Sequence, residues 1–119
     1  MSTLPDLTRA LAEALAADPR TQALKQARQA LEGSPSDQAL QQRYHEARER
    51  YEDLEEAGRP IEPDLKRELF ALEDQVRKST TLRALLIAHG EFAQMMDEVS
   101  ATLSEAVDRA LTPSRIVMP

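Results

Sequence analysis

His45 and His89 are the side chains of this chain best placed to move a proton or hold a metal near neutral pH. His89 stands in AHGEFAQMM, at a stripe position where a hydrocarbon is expected. A relay or a metal centre needs partners within helical reach, and Leu85, Leu86, Phe92 and Ala93 supply none. His45 lies beside Glu46 and four residues before Glu49, the pattern of a solvated charged face. There is no Glu-x-x-His pair for a carboxylate-bridged metal site, and no cysteine for a thiolate site or a disulfide. A serine or threonine nucleophile would need a histidine base and an orienting acid, and the two histidines fall on different expected helices. No glycine-rich phosphate loop is present. Asp97-Glu98 and Glu55-Glu56 are adjacent on helices, so each pair diverges and cannot share a substrate. The expectation is a chain with no catalytic residue, no metal and no cofactor.

Side chains suited to binding another protein are few. Of the four aromatics, Tyr44 and Tyr51 are seven residues apart on one stripe, and Phe92 precedes the pair Met95-Met96. Methionine is flexible and polarizable and recurs where a surface accepts another helix. Tyrosine offers an apolar body with a polar tip. The candidate partner or self-association set is therefore Tyr44, Tyr51, His89, Phe92, Met95 and Met96. Gly90 sits within a turn of the methionines, where a close approach by a neighbouring helix would give it a purpose.

These residues must be carried by helices. Sixteen Leu and eighteen Ala against three Gly point to an all-α class, and no period-2 apolar alternation long enough for a strand occurs. Proline and glycine punctuate helix boundaries: Asp18-Pro19 and Ser34-Pro35 each set a capping residue before proline at the first helical position. Gly33 and Gly58 suit left-handed C-caps, and Ser79 offers a further N-cap. Five helices follow, over 4–17, 19–32, 35–57, 63–78 and 80–111, in a single domain 1–119 with a short unstructured tail from about 112 to 119. DPRTQALKQARQALE and SPSDQALQQRYHEAR share the cap, the proline and QAL at the same offsets. Common helix-start chemistry explains this, since two copies are too few for a solenoid.

The third segment carries Leu40, Tyr44, Ala47, Tyr51 and Leu54 on one stripe, and the fourth carries Leu65, Leu69, Leu72 and Val76. In the last segment a three-four alternation runs through Leu82, Leu85, His89, Phe92, Met96, Val99, Leu103, Ala106 and Ala110. Segments three, four and five are expected to pack as a long antiparallel three-helix arrangement. The first helix, with Leu4, Leu7, Leu11 and Leu15, docks at its edge or against a second subunit. At 1.5 Å per residue the last helix runs about 45 Å, beyond the roughly 35 Å diameter of a compact domain this size. Its seam should continue under another chain, which makes a homodimer or higher oligomer the expectation.

The formal charge of −6 and pI of about 4.9 argue against direct nucleic-acid binding, which needs a basic stripe. The N-terminus lacks the basic region and apolar run of a signal peptide, and no stretch is apolar enough to span a bilayer. A cytoplasmic protein is expected, with no membrane and no nucleic acid among its direct partners.

The stretch ERYEDLEEAGRPIEPDLKREL, a helix end, a turn and a new helix, together with AHGEFAQMMDEVSATLSEAV in the long last helix, resembles the YlbF/YmcA family of control-of-competence regulators. ADPRTQALKQARQALEG is similar to the family's first half, so the resemblance spans roughly residues 6 to 108. It implies an all-helical, non-enzymatic cytosolic protein that self-associates and acts through partners. In the best-known members those partners form a complex that modulates an endoribonuclease in RNA processing, with effects on competence, sporulation and biofilm formation. Some members carry a cysteine-bearing tail linked to an iron–sulfur cluster, whereas this chain ends in TPSRIVMP and has no cysteine. An oligomeric adaptor is the leading reading. The competitors are an enzymatic or ligand-binding bundle using His89, and a purely structural coiled-coil packing module.

Overall fold

Five helices account for nearly all of residues 2–113, the part of the chain that the computed structural model describes; of the expected tail from about 112, residues 114–119 lie outside it. They are α1 (Leu4–Ala17), α2 (Pro19–Glu32), α3 (Pro35–Glu56), α4 (Pro63–Lys78) and α5 (Thr80–Leu111). The expected boundaries hold to within a residue because each start is chemically marked. Proline occupies the first or second position of α1 to α4, where a missing N–H costs nothing. Asp18 accepts from the Arg20 N–H, and Ser79 Oγ accepts from the Leu82 N–H at 3.2 Å. The α1 start adds a reciprocal Thr3–Asp6 capping box.

The two glycine caps part ways. Gly58 has φ +66, and the Arg59 N–H reaches Leu54 O while Gly58 N–H reaches Glu55 O. That is a Schellman ending, and it turns the chain into GRPIEP. Gly33 was expected to be left-handed as well, but its φ is −84. Its helix ends differently: the Gln38 side-chain amide donates to Leu31 O and Glu32 O, both at 2.9 Å, and satisfies the free carbonyls. Gln22, at the same offset in the repeated segment, donates to Ala16 O at 2.8 Å. The repeat is thus one helix-junction device used twice, each time followed by a buried leucine, Leu24 or Leu40. Ser34 also departs from expectation, since its hydroxyl donates to Asp37 Oδ2 at 2.7 Å instead of capping the α3 backbone.

The core has two parts. Leu40 and Ala47 of α3 meet Leu65 and Leu72 of α4 and Leu82 of α5, bordered by Tyr44, Tyr51, Leu54, Leu69 and Val76. Both expected stripes on α3 and α4 are the ones buried. Further along, Leu24 and Ala27 of α2 meet Ala88 of α5, bordered by Leu85 and Phe92. α5 therefore lies chiefly along α2, antiparallel to it, and only its first turns meet the α3–α4 hairpin. This corrects the expected three-helix packing of α3, α4 and α5. Asp18 and Ser79 each end one helix and begin the next, so single-residue corners leave no slack for α4 to follow α5.

Ion pairs between helices are sparse and superficial. Arg20 reaches Glu98 at 3.5 Å and Arg50 reaches Glu68 at 3.2 Å, both between exposed or half-exposed groups that contribute little each. Packing holds the fold together. It is elongated, 69 × 39 × 22 Å with a radius of gyration of 21.8 Å, against about 14 Å for a compact domain of this length.

Candidate protein-interaction site

The inward stripe of α5 runs Leu82, Leu85, Ala88, Phe92 and Met95, of which Leu82, Ala88 and Met95 are buried and Leu85 and Phe92 half-buried. His89 is exposed, one position round the helix from Ala88, which corrects its expected place in the seam. Among the described residues it makes no side-chain hydrogen bond or ion pair. His45 is exposed as well, 4.0 Å from Glu49. No polar or charged side chain is buried among the described residues, and no group of three His, Asp or Glu there could hold a metal. Titratable groups tuned for catalysis are desolvated and coupled to neighbours. The groups perturbed in this fold are instead exposed or half-exposed carboxylates and arginines at helix ends and surfaces. Arg20 hydrogen-bonded to Asp18 holds that carboxyl below its ordinary range, and Lys78 does the same for Asp74.

The six candidate side chains fall into three groups. Met95 is 2 % exposed and belongs to the interior, so in this chain it is core and offers no surface. Phe92 and Met96 are half-buried on the α5 layer, Phe92 beside a groove that includes Leu24 and Lys25 of α2. Tyr44 and Tyr51 are brought together along the α3–α4 hairpin. Each is half-buried at the edge of the core, and the Tyr44 hydroxyl accepts from Arg48 Nη1 at 3.2 Å.

Around the two tyrosines lie apolar side chains outside the candidate set. Phe70 is 71 % exposed, Leu86 72 % and Ile87 57 %. An open groove of about 360 Å³ joins Tyr44, Val76, Leu86 and Ile87 under Arg77 and Arg83. A second, of about 420 Å³, continues past Glu73 to Tyr51, Leu69 and Phe70. The sequence did carry a signal for these residues. In Leu69-Phe70 and in Leu85-Leu86-Ile87 consecutive apolar residues exceed what one helical stripe can bury, so at least one of each set must face out.

The opposite end of the molecule has a second apolar face. α1 makes a close backbone approach to α2 but none to α5, and none of its residues is buried. From Ala101 onward every described residue of α5 is exposed. Leu4 and Leu7 on α1, and Leu103, Val107 and Leu111 on α5, are all more than half exposed. Where the two helices begin to part, Leu11, Val99 and Leu103 line a cleft of about 270 Å³. The α5 seam thus outruns its own fold, as its length implied.

Comparison with known proteins agrees with this architecture. The family model described as control of competence regulator ComK, YlbF/YmcA, matches residues 4–108. No curated protein matches the chain in sequence. Among solved structures, a chain of the X-ray structure of Bacillus subtilis RicA in complex with RicF superposes with a TM-score of 0.72 at 19 % identity, over 92 % of this chain and 96 % of that one. At that identity the likeness is one of fold. No helix of the described residues is long and apolar enough to cross a membrane.

Proposed function

The chain belongs to the YlbF/YmcA family of control-of-competence regulators, and we propose that it is a regulatory adaptor without chemistry of its own, one that pairs with a second copy and presents docking surfaces to other proteins. The observation that carries this reading is the fork between α1 and the last third of α5. Leu4, Leu7, Leu103, Val107 and Leu111 stand in water there, with Leu11 at the root. Isolated exposed leucines are ordinary, but a row of them along two diverging helices is an interface lacking its other half. A two-fold axis across the fork would set each α1 and α5 against its symmetry mate as a four-helix layer, using the same residues from both copies.

Regulation through partners is supported by the family assignment and by the absence of any buried titratable group among the described residues. The solved structure of similar fold is itself a complex of two proteins, RicA and RicF. The finer reading, that the assembly acts in the cytoplasm on an endoribonuclease and so on RNA processing, is supported by the family resemblance alone. The test is purification of the tagged full chain from its native cell after mild cross-linking, followed by mass spectrometry. An untagged second copy and a distinct protein at fixed stoichiometry are expected, with altered cleavage of cellular transcripts when the chain is deleted. Recovery of the chain alone, as a monomer, would overturn the reading.

A further inference from the structure

The groove over α3, α4 and the start of α5 lies away from the fork, and self-association through the fork leaves it open. Its floor is apolar: Tyr44, Val76, Leu86 and Ile87. Its rim carries Arg77 at the end of α4 and Arg83 in the first turn of α5. In a chain of net charge −6 the local cations are mostly answered: Arg48 pairs with Glu52, Arg50 with Glu68, Arg67 with Asp64 and Lys78 with Asp74. Arg77 and Arg83 are exposed and, among the described residues, have no carboxylate at ion-pair distance. Glu73 shares the rim with them, and Asp74, which Lys78 and then Arg77 hold below its ordinary range, stands one residue on. At the Phe70 end Glu52 and Glu55 lie beside Arg48 and Lys66.

We propose that this groove receives an acidic amphipathic helix of a different protein. The proposal rests on the adaptor reading and names the chemistry of its partner. Phe70 to Val76 covers about 9 Å of α4 at 1.5 Å per residue, and Leu86 and Ile87 extend the strip onto α5. A helix of about three turns with apolar anchors at i, i+3 or i+4, and i+7 matches that length. Carboxylates flanking its apolar stripe would answer Arg77 and Arg83, fixing direction and speeding encounter. A second copy of this chain is the poorer occupant. Its unpartnered acidic helices, α1 and the end of α5, are taken by the fork, and a contact between fork and groove would be heterologous and open-ended.

The test places the photo-cross-linking residue p-benzoylphenylalanine at Leu86 of the full chain in its native cell, with a parallel probe at Val107. The Leu86 probe should trap a segment of another protein whose sequence shows i, i+3/i+4 apolar spacing flanked by Asp or Glu. Trapping should fall at least tenfold in the Arg77→Glu/Arg83→Glu variant, while the Val107 probe still traps a second copy. The recovered segment, made as a peptide, should bind the purified chain and lose at least tenfold in affinity to the same variant. If Leu86 traps only this chain, a basic segment, or nothing while Val107 traps its mate, the groove proposal fails and the adaptor reading stands. If neither probe traps anything, both fail.

Discussion

Ser79 and Asp37, forty-two residues apart, are joined by a 2.8 Å hydrogen bond from Ser79 Oγ to Asp37 Oδ1. The same Ser79 oxygen accepts from the Leu82 N–H at 3.2 Å, and Asp37 Oδ2 accepts from Ser34 Oγ. One carboxylate thus ties the start of α3 to the corner where α4 becomes α5, next to the buried Leu82. Bonds from Ser34 first, and then Ser79 and Thr81, hold the Asp37 carboxyl below its ordinary value of 3.8.

A depressed carboxylate stabilises the fold wherever it is ionised in the folded chain, above its unfolded value. That contribution disappears as pH falls through the lower folded value. Asp37→Ala should therefore melt below the unsubstituted chain at pH 7. The gap should narrow steadily below about pH 4, the unfolded range of the group. Thermal melts of both proteins from pH 7 down to pH 2.5 check it. A gap that stays constant across that range would mean that the serine bonds do not depend on the charge.

Gly90 and Gly58 should respond oppositely to alanine. A Cβ added at Gly90 meets nothing within 4 Å, so no helix approaches it closely and the expected packing role is absent. Gly90→Ala should stabilise the chain by about 1 kcal/mol, the helix-interior difference between the two residues. Gly58 also has open space, but its φ of +66 is strained for any residue with a Cβ. Gly58→Ala should cost roughly 1–2 kcal/mol. Chemical denaturation of the two variants separates the cases by sign.

The helix map was legible because its punctuation is chemical. Pro19, Pro35, Pro63, Asp18, Ser79 and Gly58 each act within a turn of where they stand. The α3 and α4 stripes were legible because two helices of similar length pack along each other. On α5 the three-four alternation pointed to His89 and Met96, whereas Ala88 and Met95 are buried. Leu82 faces the α3–α4 hairpin, but Ala88 meets Leu24 and Ala27 of α2. At 3.6 residues per turn Ala88 lies about 120° round the helix from Leu82. The change of partner along α5 therefore moves the buried stripe off the seam. The groove was missed for another reason: a stripe search discards the off-stripe residues Phe70 and Ile87, which are what a second surface is made of.

Met95 and His89 put that register to the test. Met95→Ala should destabilise by about 2–5 kcal/mol, the range for truncating a buried methionine. His89→Ala should stay within roughly 0.5 kcal/mol, as for an exposed site without partners. Urea unfolding of both variants decides it. A large loss at His89 with tolerance at Met95 would restore the strict heptad seam.

The fork predicts how the chain should lose its second copy. Val107 is 57 % exposed in the last turns of α5, beyond any contact with α2, and Leu103 is 53 % exposed one turn earlier. A carboxylate at either position has water around it in the single chain, so folding should be nearly indifferent. In the paired state two such carboxylates would face each other across the axis and be desolvated together, at several kcal/mol. Since about 1.4 kcal/mol is tenfold in an equilibrium constant, dimerisation should weaken by a hundredfold or more. Light scattering at tens of micromolar should report a dimer for the unsubstituted chain and a monomer for Val107→Glu, with the helical circular dichroism unchanged. The Tyr44→Ala variant, at the far groove, should remain a dimer. If Val107→Glu stays dimeric, the copies meet elsewhere. Should it unfold, the fork is part of the single chain's own core.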